Sequence, residues 1–127
     1  MSVDPNGEYA SLIEQFGKGW EKGSTDQMVG VFTDDAVFYP SPFDAPARGS
    51  AAIRAYWSDI PREQAEISFR FGEIFVVGPW FATEFKCTFR RRRTGEPVDL
   101  RGAIFCETAD GKISEMRMYW HRNLGRS

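Results

Sequence analysis

Few side chains able to move protons or attack electrophiles stand close together in this chain. His121 is the only histidine, and imidazole is the group best matched to proton transfer near neutral pH. It follows Trp120 in a segment of strand-like alternation, which turns it away from the apolar face, toward the surface or an interface between copies. Asp44 sits between Pro42 and Pro46 and could act as a base; an aspartate holding the N–H groups of its own turn is the plainer role. Asp99 and Arg101 form an Asp-x-Arg pair on one face of a strand. Such a pair can activate water or tie neighbouring strands together, and Glu107 shares its face. Asp34 and Asp35 read as helix-end and loop residues.

The remaining reactive groups point to ordinary structural roles. Cys87 and Cys106 lack metal-ligand spacing and have no cationic neighbour to make a thiolate, so they count as small apolar residues. Arg90–Arg93 is a dense basic run at a hairpin tip. Phosphates could dock there, but no aromatic residues are interleaved and a solvated turn is expected. Glycine-rich phosphate loops, nucleophile elbows and metal-binding spacings are absent. No cofactor and no metal are expected.

The elements that position these groups follow from periodicity. Tyr9, Leu12, Ile13, Phe16 and Trp20 fall at spacings of three and four, one stripe of a helix over Glu8–Lys22. Gly23 stops it, and Ser24, Thr25 and Asp26 offer cap oxygens for a short second helix carrying Met28, Val31 and Phe32. Ala36–Tyr39 is a short strand halted by Pro40 and Pro42, and Ser41–Gly49 is a loop. Ser50 is expected to cap a third helix with Ile53, Tyr56 and Trp57 on its apolar face, ended by Pro61. Ile67, Phe69 and Phe71 begin a strand with a bulge at Gly72 before Ile74–Val77. Phe81, Thr83, Phe85, Cys87 and Phe89 then alternate with Glu84, Lys86, Thr88 and Arg90. Val98, Leu100, Gly102, Ile104 and Cys106 alternate with Asp99, Arg101, Ala103, Phe105 and Glu107. Asp110-Gly111 is a hairpin signal leading to a last strand over Ile113–Trp120. The order is α+β, with helices on one face of a curved antiparallel sheet.

The 127 residues fit one domain, with 42% hydrophobic residues and 15% aromatic ones that need a core or a pocket. Sixteen basic against 18 acidic side chains give a net charge of −2, so no overall field recruits nucleic acid or an acidic membrane. No apolar run reaches the roughly 20 residues of a membrane span. The N-terminus lacks the pattern of a secretion signal, and a cytoplasmic location is expected.

Five pieces in order resemble one family. They are Trp20-Glu21-Lys22-Gly23, Phe32–Val37, the proline loop to Arg48-Gly49, Ala52-Ile53 with Tyr56-Trp57, and Asp110–Ile113 leading to Tyr119-Trp120. Their spacing is similar to the SnoaL-like, ketosteroid-isomerase-like branch of the nuclear transport factor two superfamily, over residues 8–122 with tails at 1–7 and 123–127. The resemblance implies a cone-shaped, cystatin-like barrel of mostly antiparallel sheet with three N-terminal helices on its concave face. It also implies an apolar pocket between helices and sheet, and commonly a homodimer through the convex face. It does not imply one activity.

Ketosteroid isomerases in that superfamily use a carboxylate to move a proton, and a tyrosine with a protonated acid to hold the enolate oxygen. Carried over by spacing, the tyrosine position falls on Phe16 and the base on Pro40. The acid falls on Ile104 when anchored at Pro97, in step with the apolar alternation, or on Ala103 when anchored at Gly111. All three groups are missing. The carry-over places Phe16, Trp20, Phe38, Pro40, Tyr56, Trp57, Phe85, Cys87, Ile104, Met116, Met118 and Trp120 around the cavity. That lining suits a small hydrophobic, ring-containing molecule, unless the rings simply meet in the middle. Epoxide-hydrolysing relatives activate water with carboxylates and an arginine. The register that selects Ala103 would bring Asp99 and Arg101 inward for such chemistry; the register that selects Ile104 turns them out.

Overall fold

The computed structural model describes residues 5–123; of the tails expected at 1–7 and 123–127, residues 1–4 and 124–127 lie outside the described residues. Helix α1 runs Pro5–Lys22, so residues 5–7, expected in the tail, open the helix instead. Its apolar stripe is buried as the periodicity requires: Ile13 and Phe16 are inaccessible and Trp20 nearly so. Tyr9 stacks on Phe81 at 4.8 Å near one end of α1, while Trp20 packs 5.8 Å from Phe69 near the other. The helix is therefore packed on the sheet at both ends.

Helix α2 is shorter than the sequence implies, Thr25–Val29, with Ser24 accepting a hydrogen bond from the Gln27 N–H at 3.2 Å. Val31 and Phe32 leave it, and β1 begins at Phe32 and continues to Tyr39. Asp34 and Asp35 thus lie within a strand, not at a helix end. The cause is a partner from the far end of the chain. Phe32 pairs with Ile113, and the Ile113 N–H donates to the Val31 carbonyl at 2.8 Å, drawing the segment into the sheet. The proline loop folds back so that β2, Ala47–Arg48, pairs with Val37 and Phe38.

Helix α3 spans Ser50–Trp57. Gly49, not Ser50, occupies its cap position, tied to β1 by its N–H donating to the Ala36 carbonyl at 2.8 Å. Pro61 does not end α3; it sits inside a separate single turn, α4, Ile60–Glu63. Proline suits a first helical turn, where its missing N–H is not needed.

The strands β3 (Gln64–Phe71), β4 (Phe75–Val77), β5 (Trp80–Arg91), β6 (Pro97–Ala109) and β7 (Lys112–Arg122) complete the chain. The segment expected as one bulged strand is broken at Gly72–Ile74 into β3 and β4, which both pair with β5 along the same edge. The sheet order is β2-β1-β7-β6-β5-β3, antiparallel except for the parallel β1–β7 pair. It is a curved, mixed sheet that does not close, with three helices on its concave face. Asp110 and Gly111 both take positive φ, 53° and 76°, the geometry of a tight hairpin turn between β6 and β7. Val98, Ile104 and Cys106 are buried and Arg101 and Phe105 exposed, which sets β6 in the register that faces Ile104 inward.

Candidate functional site: an aromatic pocket

The inner face of the sheet is filled at one end and hollow at the other. Phe16, Phe32, Phe38, Phe81, Ile104, Cys106, Ile113 and Met116 pack into a continuous core. Beyond Trp57 the packing stops and leaves a pocket of about 210 Å³. The rings of its wall are Trp20, Tyr56, Trp57, Phe89 and Trp120. Pro40, Ile60, Leu100 and Met118 add apolar surface, and Asp59, Glu63 and Gln64 supply the polar part.

Each wall has a local cause. The stripe of α1 delivers Trp20, and the last turn of α3 delivers Tyr56 and Trp57. The single turn α4 contributes Ile60 and Glu63, flanked by Asp59 and Gln64. Inward positions of β5, β6 and β7 bring Phe89, Leu100, Met118 and Trp120. Trp57 is the hub, with its ring 4.9 Å from Trp20, 5.1 Å from Tyr56, 5.5 Å from Phe38 and 5.6 Å from Phe16. Tilted and edge-to-face arrangements of this kind add stabilisation beyond area burial.

Two indole N–H groups are anchored. Trp20 Nε1 donates to Gln64 Oε1 at 2.9 Å, and Trp120 Nε1 donates to the Pro40 carbonyl at 2.8 Å. The second bond ties the end of β7 to the start of the proline loop. Asp59 is held by an ion pair with Arg62. Burial, reinforced by the nearby Asp44 carboxylate, raises the pKa of the Tyr56 phenol, which therefore stays protonated through neutral pH. A polar depression of about 590 Å³ adjoins the pocket and shares Asp59 and Glu63 with it; Arg62, Arg91, Arg93 and Thr94 line the remainder.

Of the residues expected around the cavity, six line it: Trp20, Pro40, Tyr56, Trp57, Met118 and Trp120. The other six, Phe16, Phe38, Phe85, Cys87, Ile104 and Met116, are buried outside its wall. They face the right side of their elements but lie where the helices and the sheet pack directly together as one core. The weak catalytic candidates are not brought together. Arg101 is exposed and binds Asp99 through contacts of 3.1 and 3.2 Å on the outer face of β6. That hydrogen bond lowers the Asp99 pKa, outweighing the partial burial that opposes it. Asp44 accepts from the Ser41 hydroxyl at 2.8 Å inside its own loop, and His121 is exposed beside Arg101. Among the described residues no group of three or more His, Cys, Asp or Glu side chains is arranged to hold a metal ion.

Sequence reasoning missed Asp59, Ile60, Glu63, Gln64, Phe89 and Leu100. Alternation does face Phe89 and Leu100 inward, but it carries no information on depth along the strand. For α4 the signal was present: a proline directly after Asp-Ile and before Arg-Glu has the form of a first helical turn.

The architecture is an open α+β cone with helices over one face of a curved, mixed sheet. The sequence matches the SnoaL-like domain family over residues 13–116, and the chain belongs to that family. No curated protein matches it. Among solved structures, a provisionally named isomerase from Bacillus subtilis superposes with a TM-score of 0.82 at 22% identity, covering 94% of this chain and 90% of that one. The epoxide hydrolase/cyclase-like enzyme SalBIII, described for pyran ring formation in the polyether salinomycin, gives 0.79 at 18% identity, with 94% and 95% covered. An LEH-like epoxide hydrolase from M. tuberculosis gives 0.77 at 18% identity, with 93% and 86% covered. At such identities the likeness establishes the fold.

Proposed function

We propose that this chain binds a small hydrophobic, ring-containing molecule in the aromatic pocket. The observation that carries this reading is the pocket itself: about 210 Å³ walled by five aromatic residues, at the end of a core that is otherwise filled. An apolar cavity of about 150 Å³ is enough for benzene, so one ring with a few substituents fits this volume. The absence of proton-handling groups at Phe16, Pro40 and Ile104 argues against ketosteroid-isomerase chemistry. Thermal unfolding with single-ring compounds tests the proposal. A ligand of the pocket raises the unfolding midpoint in a concentration-dependent way, and no shift with any member of a panel of toluene, cyclohexanone, acetophenone and α-methylstyrene would remove it.

A second reading, an isomerase, cyclase or hydrolase acting on a hydrophobic substrate, has one observation in its favour. The Glu63 side chain lies on the pocket wall without an ion-pair partner among the described residues. A carboxylate so placed can act as a base. Glu63→Gln abolishes turnover on that reading and leaves ligand affinity intact, whereas the binding reading expects no turnover in either form.

We also propose that two copies associate through the outer face of β6 and β7. Phe105 and Tyr119 lie there 5.7 Å apart, 42% and 40% exposed, with small Ala103 paired to Tyr119 on one side and to Glu84 on the other. Exposed rings within a charged rim have the composition of an interface.

A further inference from the structure

The pocket wall is rich in ring surface and carboxylate, and no Lys, Arg or His is among its residues. Its rings are not stacked in one plane: Trp57 meets Trp20 at 60° and Tyr56 at 83°. Tyr56 and Trp120 are the accessible ones, 48% and 39% exposed. The indole N–H groups of Trp20 and Trp120 are spent on Gln64 and Pro40, which leaves those side chains their π surface to offer. Two carboxylates near that surface lack a counter-ion. Glu63 lines the wall, and Asp44 lies in the proline loop, close enough to Tyr56 for its charge to act on the phenol. Asp44 accepts from the Ser41 hydroxyl, and neither carboxylate forms an ion pair among the described residues. Asp59 is neutralised by Arg62 and adds no net charge. The guanidinium groups of Arg62, Arg91 and Arg93 line the adjoining depression, where Asp59 and Glu96 hold the first two. The face of an aromatic ring attracts a cation, most strongly on tryptophan, and unpaired carboxylates add to that attraction.

We infer that the ligand of this pocket is a substituted ammonium carried on a ring, held by the π surface of Tyr56 and Trp120 and by the negative charge of Glu63 and Asp44. The inference rests on the pocket reading above and narrows it. A quaternary ammonium spreads its charge over apolar methyl groups, so it makes hydrophobic contacts while its charge is met by the wall. The volume of about 210 Å³ takes one ring with a compact head.

Phenyltrimethylammonium and tert-butylbenzene make the test, since they share one shape and differ only in a positively charged nitrogen replaced by carbon. A merely greasy hollow prefers the hydrocarbon, because the ammonium costs more to strip of water. The wild-type chain is instead expected to bind the cation about tenfold more tightly in calorimetric titration. Tyr56→Leu keeps apolar bulk and removes a ring face, while Glu63→Gln combined with Asp44→Asn removes the charge. Each variant is expected to cut the preference for the cation about threefold. Both carboxylates are exposed, so the charge variant keeps the fold. In the wild type the N-methyl proton resonance of the bound cation moves upfield through the ring currents, a readout that needs no variant. Equal or tighter binding of tert-butylbenzene, an unmoved N-methyl resonance, or a preference undiminished in either variant overturns the inference while leaving the pocket reading intact. Binding of neither probe overturns it too, and the pocket reading then stands or falls with the neutral panel above.

Discussion

A methyl group at Gly102 would lie 2.7 Å from Trp120 Cα and closer still to the Tyr119 carbonyl oxygen. Both are backbone atoms of the adjoining strand β7, so no side chain can swing aside. Gly102→Ala is therefore expected to cost about 3 kcal/mol, read as a lowered urea midpoint, and to disturb Trp120 in the pocket wall. The two thiols give a prediction of another kind. Burial, helped by the nearby Glu21 carboxylate, pushes Cys87 up to about 12 from an ordinary 9.0, and burial alone raises Cys106 well above it. Above pH 9 the unfolded thiols ionise while the native ones keep their protons. The native chain then holds more protons than the unfolded one, so stability is complete below pH 9 and falls as pH rises toward 12. Denaturation midpoints at pH 8 and pH 10 check this, and alanine at both positions flattens that part of the alkaline slope. At this scale the sequence was informative about direction but not depth. Alternation faced Phe85, Cys87 and Ile104 to the same side as Phe89 and Leu100, yet only the last two reach the hollow, because depth depends on where helices end above the sheet.

Local pattern located most elements, and it failed where partners are remote. Helix α1 was legible because its stripe repeats over four turns, and β5 because it alternates for ten residues. The first strand was read four residues short, since Phe32–Asp35 joins the sheet only through β7, some eighty residues away. Helix α4 was missed because a proline taken as a stop signal serves equally well as a start. That turn and the proline loop together form the rim of the pocket. The bond from Trp120 Nε1 to the Pro40 carbonyl is the direct tie between loop and sheet. Trp120→Phe is expected to lose about 1 kcal/mol of stability and to speed amide hydrogen exchange at Ser41–Asp44. Unchanged exchange there would mean that the pairing of β2 with β1 holds the loop by itself.

For the whole molecule, the sheet has one face occupied by helices and one turned outward with Phe105 and Tyr119 upon it. Light scattering after gel filtration is expected to give about twice the 14.5 kDa chain mass, and Phe105→Arg to return it toward a single chain; a wild-type monomer at micromolar concentration sinks the two-copy proposal. No helix among the described residues is long and apolar enough to cross a membrane. The parallel contact of β1 with β7 joins the first strand to the last. As the chain leaves the ribosome, the aromatic shelter therefore lacks its closing wall until β7 has emerged. A chain arrested before Trp120 can cover its greasy interior with α1, but it has nowhere to lodge a guest.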